Sequence, residues 1–359
     1  MNARINDFVE VSTMRLLFPT MAAGIAILAM AGLAQQPAAE GPYRVLNTAK
    51  VGGDGGFDYV YADADGRRLY IARSGPEPRV SVFNLDTLAP AGEIPMTSAH
   101  GAATDAKYHH GFASSKPAAM WDTKTLALIK TIPVDGGPDG ILGDPFNHRI
   151  YIFSHRAPNA TVLDAKDGSV LGTIDLGGAP EQAASDGKGH LYVDIEDKDS
   201  VAVIDAKTMK VTATYGLNGK GGTAAGLALD AKNHVLFVAC RNPQTMVMLD
   251  ANDGKYLADL PIGRGCDGAA FNPKTMECFS SQGDGTLTVI KENSPTSFAV
   301  EQNLTTLPGA KTLTLDSRTG KIYLITAEFG APTNPPANGG RFSRGPMVPG
   351  SFSILEVGR

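Results

Sequence analysis

Seven positions of the chain share one register: Asp58, His100, Asp139, Glu181, Ala225, Asp267 and Lys311. Each stands five residues before an Asp or Asn that opens a polar turn, namely Asp63, Asp105, Asp144, Asp186, Asp230, Asn272 and Asp316. A shared register makes a ring of side chains holding four carboxylates, one imidazole and one ammonium group. The turns do not require acids there, because turn chemistry is carried by the Asp or Asn further on. Lys311 falls between Asp267 and Asp58 and can neutralise either or both. Asp139 and Glu181 are neighbours with no lysine beside them, and His100 precedes them. Like charges brought together raise a pKa or recruit a cation. His100, Asp139 and Glu181 are therefore the expected holders of a divalent cation, calcium or magnesium, or an acid–base pair. The bland alternative is a water-filled channel lined by solvated acids.

A second tier comes from loops expected on the same face: Arg73, His155, Arg156, Glu196, Arg241, Gln282 and Glu328. Three arginines above an acidic ring suit an anionic group of a ligand, and ordinary solvated surface is the competing reading. Several signatures are missing. The sequence holds no CxxCH, no cysteine-rich metal pattern, no GxSxG elbow and no phosphate loop. His109-His110 is placed in a turn on the far face, and Trp121 in the core between two repeats. With 32 Lys and Arg against 37 Asp and Glu, the net charge of -5 argues against a dedicated nucleic-acid binder. Three cysteines cannot staple a disulfide scaffold; Cys240 and Cys266 are both placed at the upper face, where an oxidising compartment permits a bridge that leaves Cys278 unpaired.

The elements that position these residues are read from a repeat. A short β-type run with an aromatic at its second position recurs as LYIA at 69, GFAS at 111, IYIF at 150, LYVD at 191, LFVA at 236, CFSS at 278 and IYLI at 322. A third run follows each one, as in ATVLD at 160 and VAVID at 201, and then a fourth, as in VLGTIDL at 170 and YLADLPI at 256. Four short strands at a period of roughly 36 to 45 residues describe a propeller blade. The last copy stops after its third run, and an orphan run, YRVLNTAKV at 43–51, precedes the first. Pairing the two closes the ring and leaves no long sheet edge. The expected fold is all-β: a seven-bladed β-propeller over 43–359, closed by its N-terminal strand.

The repeat resembles the YVTN type of YncE-like seven-bladed propellers, most clearly in PDGILGDPFNHRIYIF at 138 and GKGHLYVDIEDKDSVAVIDAKTMKV at 187. The resemblance covers essentially all of 43–359. It is specific for fold and poor for function, because such propellers serve as binding proteins, as parts of redox enzymes and as relatives of lyases and lactonases. It implies a protein that binds a small molecule or protein partner at its central funnel. The alternative is a metal-assisted lyase or lactonase-like hydrolase working from the acidic ring.

Residues 21–34, MAAGIAILAMAGLA, are apolar, too short for a comfortable membrane span, and end in the small-x-small triplet Gly32-Leu33-Ala34. They read as a secretory leader over 1–34, with Met14 a plausible true start, followed by a linker at 35–42. The expectation is a periplasmic or secreted monomer. A Pro- and Gly-rich insertion at 327–350 carries Phe329, Arg341, Phe342 and Arg344 on the funnel face, as a lid or as a disordered excursion.

Overall fold

The computed structural model describes residues 41–95, 98–331 and 345–359. These form seven four-stranded antiparallel sheets. Blade 1 contains Phe57–Asp63, Arg68–Arg73, Arg79–Asn84 and Pro90–Pro95, and the next five blades repeat that order up to Ser297–Thr305. The innermost strands pack side by side around the ring, each against the next and the seventh against the first. The leader, the linker and the part of the insertion carrying Arg341, Phe342 and Arg344 lie outside the described residues.

Blade 7 is assembled from both ends of the chain. Arg44–Lys50 pairs antiparallel with Ser353–Gly358, from Arg44 opposite Gly358 to Lys50 opposite Ser353. Two clusters on the lower face hold this closure. The Tyr43 hydroxyl and the Arg359 guanidinium both bond to the buried Glu277 of blade 6. Arg67 of blade 1 reaches Asp316 of blade 7 at 2.9 Å.

The recurring aromatic of each second strand packs into the core in every blade. Tyr70, Phe112, Tyr151, Tyr192, Phe237, Phe279 and Tyr323 are all buried. Where the residue is tyrosine, its hydroxyl can satisfy a backbone carbonyl of the next blade. Tyr323 donates to Leu85 O at 2.8 Å and Tyr192 to Ala251 O at 3.1 Å. Trp121 is buried in the seam between blades 1 and 2 as expected, and a Cβ at Gly111 would lie 2.1 Å from its ring. The turn Asp residues behave as their type dictates: Asp105 Oδ1 accepts from Tyr108 N at 2.9 Å and Asp316 Oδ1 from Arg318 N at 3.0 Å.

The Cys240–Cys266 bridge is not formed; all three cysteines are free and buried. Strand alternation explains why. Cys240 faces the core shared by blades 4 and 5, whereas Cys266 packs with Ala239 in the core between blades 5 and 6. The sheet of blade 5 thus stands between the two sulfurs. Burial pushes both thiols up, Cys266 to about 12.

Candidate functional site

In six blades the ring residue falls inside a β-bulge. Pairing of the first two strands breaks register between Phe57 and Val60, Ala99 and Ala102, Pro138 and Ile141, Pro180 and Ala183, Ala224 and Gly226, and Cys266 and Ala269. A bulge bends the strand and re-aims its side chains. Here it turns Asp58, His100, Asp139, Glu181 and Asp267 toward the axis. Lys311 stands just before the first strand of blade 7, Thr312–Leu315.

All of these but His100 line a cavity of about 740 Å³ at the mouth of the channel. Asp58, Asp139, Glu181, Asp267 and Lys311 of the ring contribute to it, together with His155, Glu196 and Arg241 of the second tier. Tyr59, Arg264 and Asp284 also line it and were not singled out from sequence. Tyr59 is carried in by the same bulge that turns Asp58, a feature that no residue pattern announces.

The charges sort into two arcs. On the side of blades 5 to 7, Asp267 pairs with both Arg241 and Lys311. Arg241 also donates to Glu196 Oε1 at 2.6 Å and to Cys266 O at 3.0 Å. On the side of blades 1 to 4, His100 Nδ1 lies 2.7 Å from Asp58 Oδ2 and 3.1 Å from Asp139 Oδ1. His155 Nε2 lies 3.2 Å from Asp139 Oδ2 and 3.9 Å from Glu181 Oε1. Tyr59 donates to Glu181 Oε2 at 3.1 Å, and Arg241 approaches Glu181 Oε1 at 3.8 Å.

The expected trio of His100, Asp139 and Glu181 is therefore regrouped. Asp139 belongs to two clusters, one with Asp58 and His100 and one with His155 and Glu181, and within each the donor atoms lie within 4.8 Å of one another. Glu181 joins His155 rather than His100, because the two histidines sit against opposite oxygens of Asp139. The partner found for Asp58 is His100.

The electrostatics follow the geometry. Burial and the Asp139 charge push the Glu181 carboxyl up to about 7, against the opposing pull of Arg241. Hydrogen bonds to Asp139 and Asp58 raise the His100 imidazole to about 10. Asp194, on the second strand of blade 4, is fully buried without a hydrogen-bond partner at either oxygen, and burial drives its carboxyl far upward.

Four second-tier residues do not serve the funnel as expected. Arg73 is 1% exposed, donates to the carbonyls of Gly53, Asp54, Gly55 and Gly56, and stacks 3.8 Å from the centre of the Phe352 ring. It therefore braces the loop before the first strand. Gln282 is buried, its Oε1 accepting from the hydroxyls of Thr286 and Thr288. Arg156 is exposed and is not part of the cavity wall. Glu328 pairs at 3.0 Å with Lys50 in the open, where such a pair contributes little.

Below the ring the channel narrows to a second cavity of about 200 Å³. Gln182 of blade 4 crosses it. Its Oε1 accepts from Leu227 N and Ala269 N, both at 2.9 Å, and its Nε2 donates to Ala269 O at 3.0 Å. One side chain thus joins blades 4, 5 and 6 under the funnel.

No protein-family model matches the chain. It is 24% identical over 195 residues to the uncharacterized protein YncE of Salmonella typhi and, equally, to that of Salmonella typhimurium. The match covers 52% of this chain and 54% of each relative, so the chain spans about half the length of the curated relatives it matches. Among solved structures, a chain from "Crystal Structure of Mitotic Checkpoint Complex" superposes with a TM-score of 0.65 at 13% identity, covering 87% of this chain and 95% of that one. "Structure of U3-55K" gives 0.67 at 11%, covering 88% and 98%. At such identities the likeness concerns the fold alone. Weak homology to YncE and a ring of seven four-stranded blades together fit a YncE-like propeller family.

Proposed function

We propose that this chain is an exported binding propeller whose funnel takes a small ligand through a divalent cation held on the arc of blades 1 to 4. One observation carries the reading. Asp58, Asp139 and Glu181 line one wall of the 740 Å³ cavity beside two histidines, while Lys311 pairs with Asp267 and Arg241 with Asp267 and Glu196, leaving Glu181 only the edge of Arg241 at 3.8 Å. A cluster of carboxylates and imidazoles in a partly desolvated mouth is an affinity for cations. The same wall supports the hydrolytic alternative only to the extent that a bound ion would activate water.

Thermal melts of the metal-stripped protein with calcium, magnesium, manganese and zinc test this. At least one ion is expected to raise the melting temperature, and Asp139→Asn with Glu181→Gln to abolish the rise. Asp267→Asn should keep the rise, from a lower starting point. If no ion shifts the wild-type melt and none co-purifies, the funnel binds its partner without a metal. Export is tested by N-terminal sequencing of secreted protein, expected to begin near Gln35.

A further inference from the structure

The geometry points to two adjacent cation positions in the funnel, bridged by Asp139: one completed by Asp58 and His100, the other by His155 and Glu181. This deepens the cation reading above and rests on it. The two oxygens of Asp139 face different histidines, Oδ1 toward His100 at 3.1 Å and Oδ2 toward His155 at 3.2 Å. A carboxylate used this way presents one oxygen to each of two ions, the arrangement of carboxylate-bridged pairs about 3.5–4 Å apart.

The spacings fit. Metal–ligand bonds of about 2.0–2.2 Å put neighbouring donors of one ion about 3 Å apart. The His–carboxylate pairs of the first cluster stand at 2.7 and 3.1 Å and the His155–Asp139 pair of the second at 3.2 Å, while Glu181, 3.9 Å from His155, must close in on a bound ion. A second observation concerns the second histidine. Its side chain is 32% exposed, but His155 Nε2 itself is shielded from solvent, and its contact with Asp139 does not have hydrogen-bond geometry, so this ring nitrogen is left without a hydrogen-bond partner. Such an atom calls for an ion or water. The donor set also narrows the ion. Imidazole and carboxylate together suit manganese, iron or zinc better than calcium or magnesium, which prefer all-oxygen shells.

Charge then names the ligand class. Two divalent ions bring four positive charges against the three carboxylates of Asp58, Asp139 and Glu181, with both imidazoles neutral. The loaded arc carries net positive charge and takes an oxyanion.

The experiment is an equilibrium titration of the metal-stripped full chain with manganese, reading bound metal per chain and the electron paramagnetic resonance spectrum. Two ions per chain with a spin-coupled spectrum are expected. Asp58→Asn and Glu181→Gln should each leave one ion and lose the coupling, and Asp139→Asn should lose both. Inorganic phosphate should bind the loaded protein at least about tenfold more tightly than the stripped one. One uncoupled ion in the wild type overturns the pair while leaving the cation reading intact; no ion overturns both. Phosphate binding equal in the two forms overturns the ligand class alone. The wild-type stoichiometry needs no variant to fold, so these outcomes stay decisive even if a substitution unfolds the chain.

Discussion

The two arcs of the funnel are built from the same blade, the same bulge and the same register, yet they end in opposite electrostatic states. On the Arg241 side the ring acid is neutralised: Asp267 of blade 6 holds Arg241 and Lys311, and Arg241 also holds Glu196 of blade 4. Around blades 1 to 4, three carboxylates share two histidines and the distant edge of one guanidinium. The backbone delivers side chains to the mouth without regard to their chemistry. Whether an arc becomes scaffold or reactive surface depends on single residues placed on a common frame. An acid with an arginine on the next loop is structural, and an acid with another acid on the next blade is held in readiness for something else.

The largest effect separating the arcs is in stability without metal. Asp267→Asn strips the carboxylate from two cations in a half-buried mouth, and is expected to cost about 2–4 kcal/mol. Asp139→Asn relieves repulsion with Glu181 and Asp58 while loosening His100, and should stay within about 1 kcal/mol of wild type. Denaturant unfolding of the two variants measures this. Equal losses would erase the distinction.

The next effect is in pH. An acid whose pKa is raised on folding keeps its proton longer in the native state. Glu181, moved from 4.5 to about 7, therefore makes stability fall as pH rises across that window. His100, raised from 6.5 to about 10, gives its full stabilisation below pH 6.5 and loses it as pH rises through 10. Both push the same way, so the metal-free protein should lose melting temperature from pH 5 to pH 10. Glu181→Gln should lessen the fall in the acidic half, where Glu292, pushed by burial to about 7, acts as well, and His100→Gln should lessen it in the alkaline half. Saturating manganese should reverse the trend, because a metal displaces protons from its ligands. A metal-free melt independent of pH would contradict the geometry of this arc.

The smallest effect concerns the cysteines of the paired side. Reductant should not change the melting temperature, and three thiols should titrate in unfolded, unreduced protein but remain unreactive in the native state, where burial raises their pKa values.

The blade frame was legible from residues because it is repetitive: an aromatic in each second strand, an Asp or Asn at each turn, a missing strand at one end and a spare at the other. The ring itself could be counted out for the same reason. The partners of its members could not. Arg73 is the last residue of its strand, three after the aromatic, and folds back onto the carbonyls of its own loop, whereas Arg241 follows its strand, four after the aromatic, and reaches the axis. Gln282 shares the buried register of Arg73, and His155 and Glu196 share that of Arg241, so residue type alone misleads where the offset from the aromatic separates them. Tyr59 was missed because alternation places the neighbour of an inward residue on the opposite face, and the bulge breaks alternation at that point. The cysteine pairing failed in the converse way. Face assignment in a regular strand decides it, and proximity of the two strand ends hides that.

The closure of the ring has a directional consequence. Because Arg44 lies opposite Gly358, the two strands that close the ring finish side by side, remote from Lys50 and Ser353 and hence from the funnel. Anything tethered there, whether a membrane, a bead or a fused domain, would meet the back of the disc and leave its mouth facing outward. The same adjacency would let Arg44 and Gly358 be joined by a short linker and new ends opened between other blades, giving a permuted ring with the same mouth.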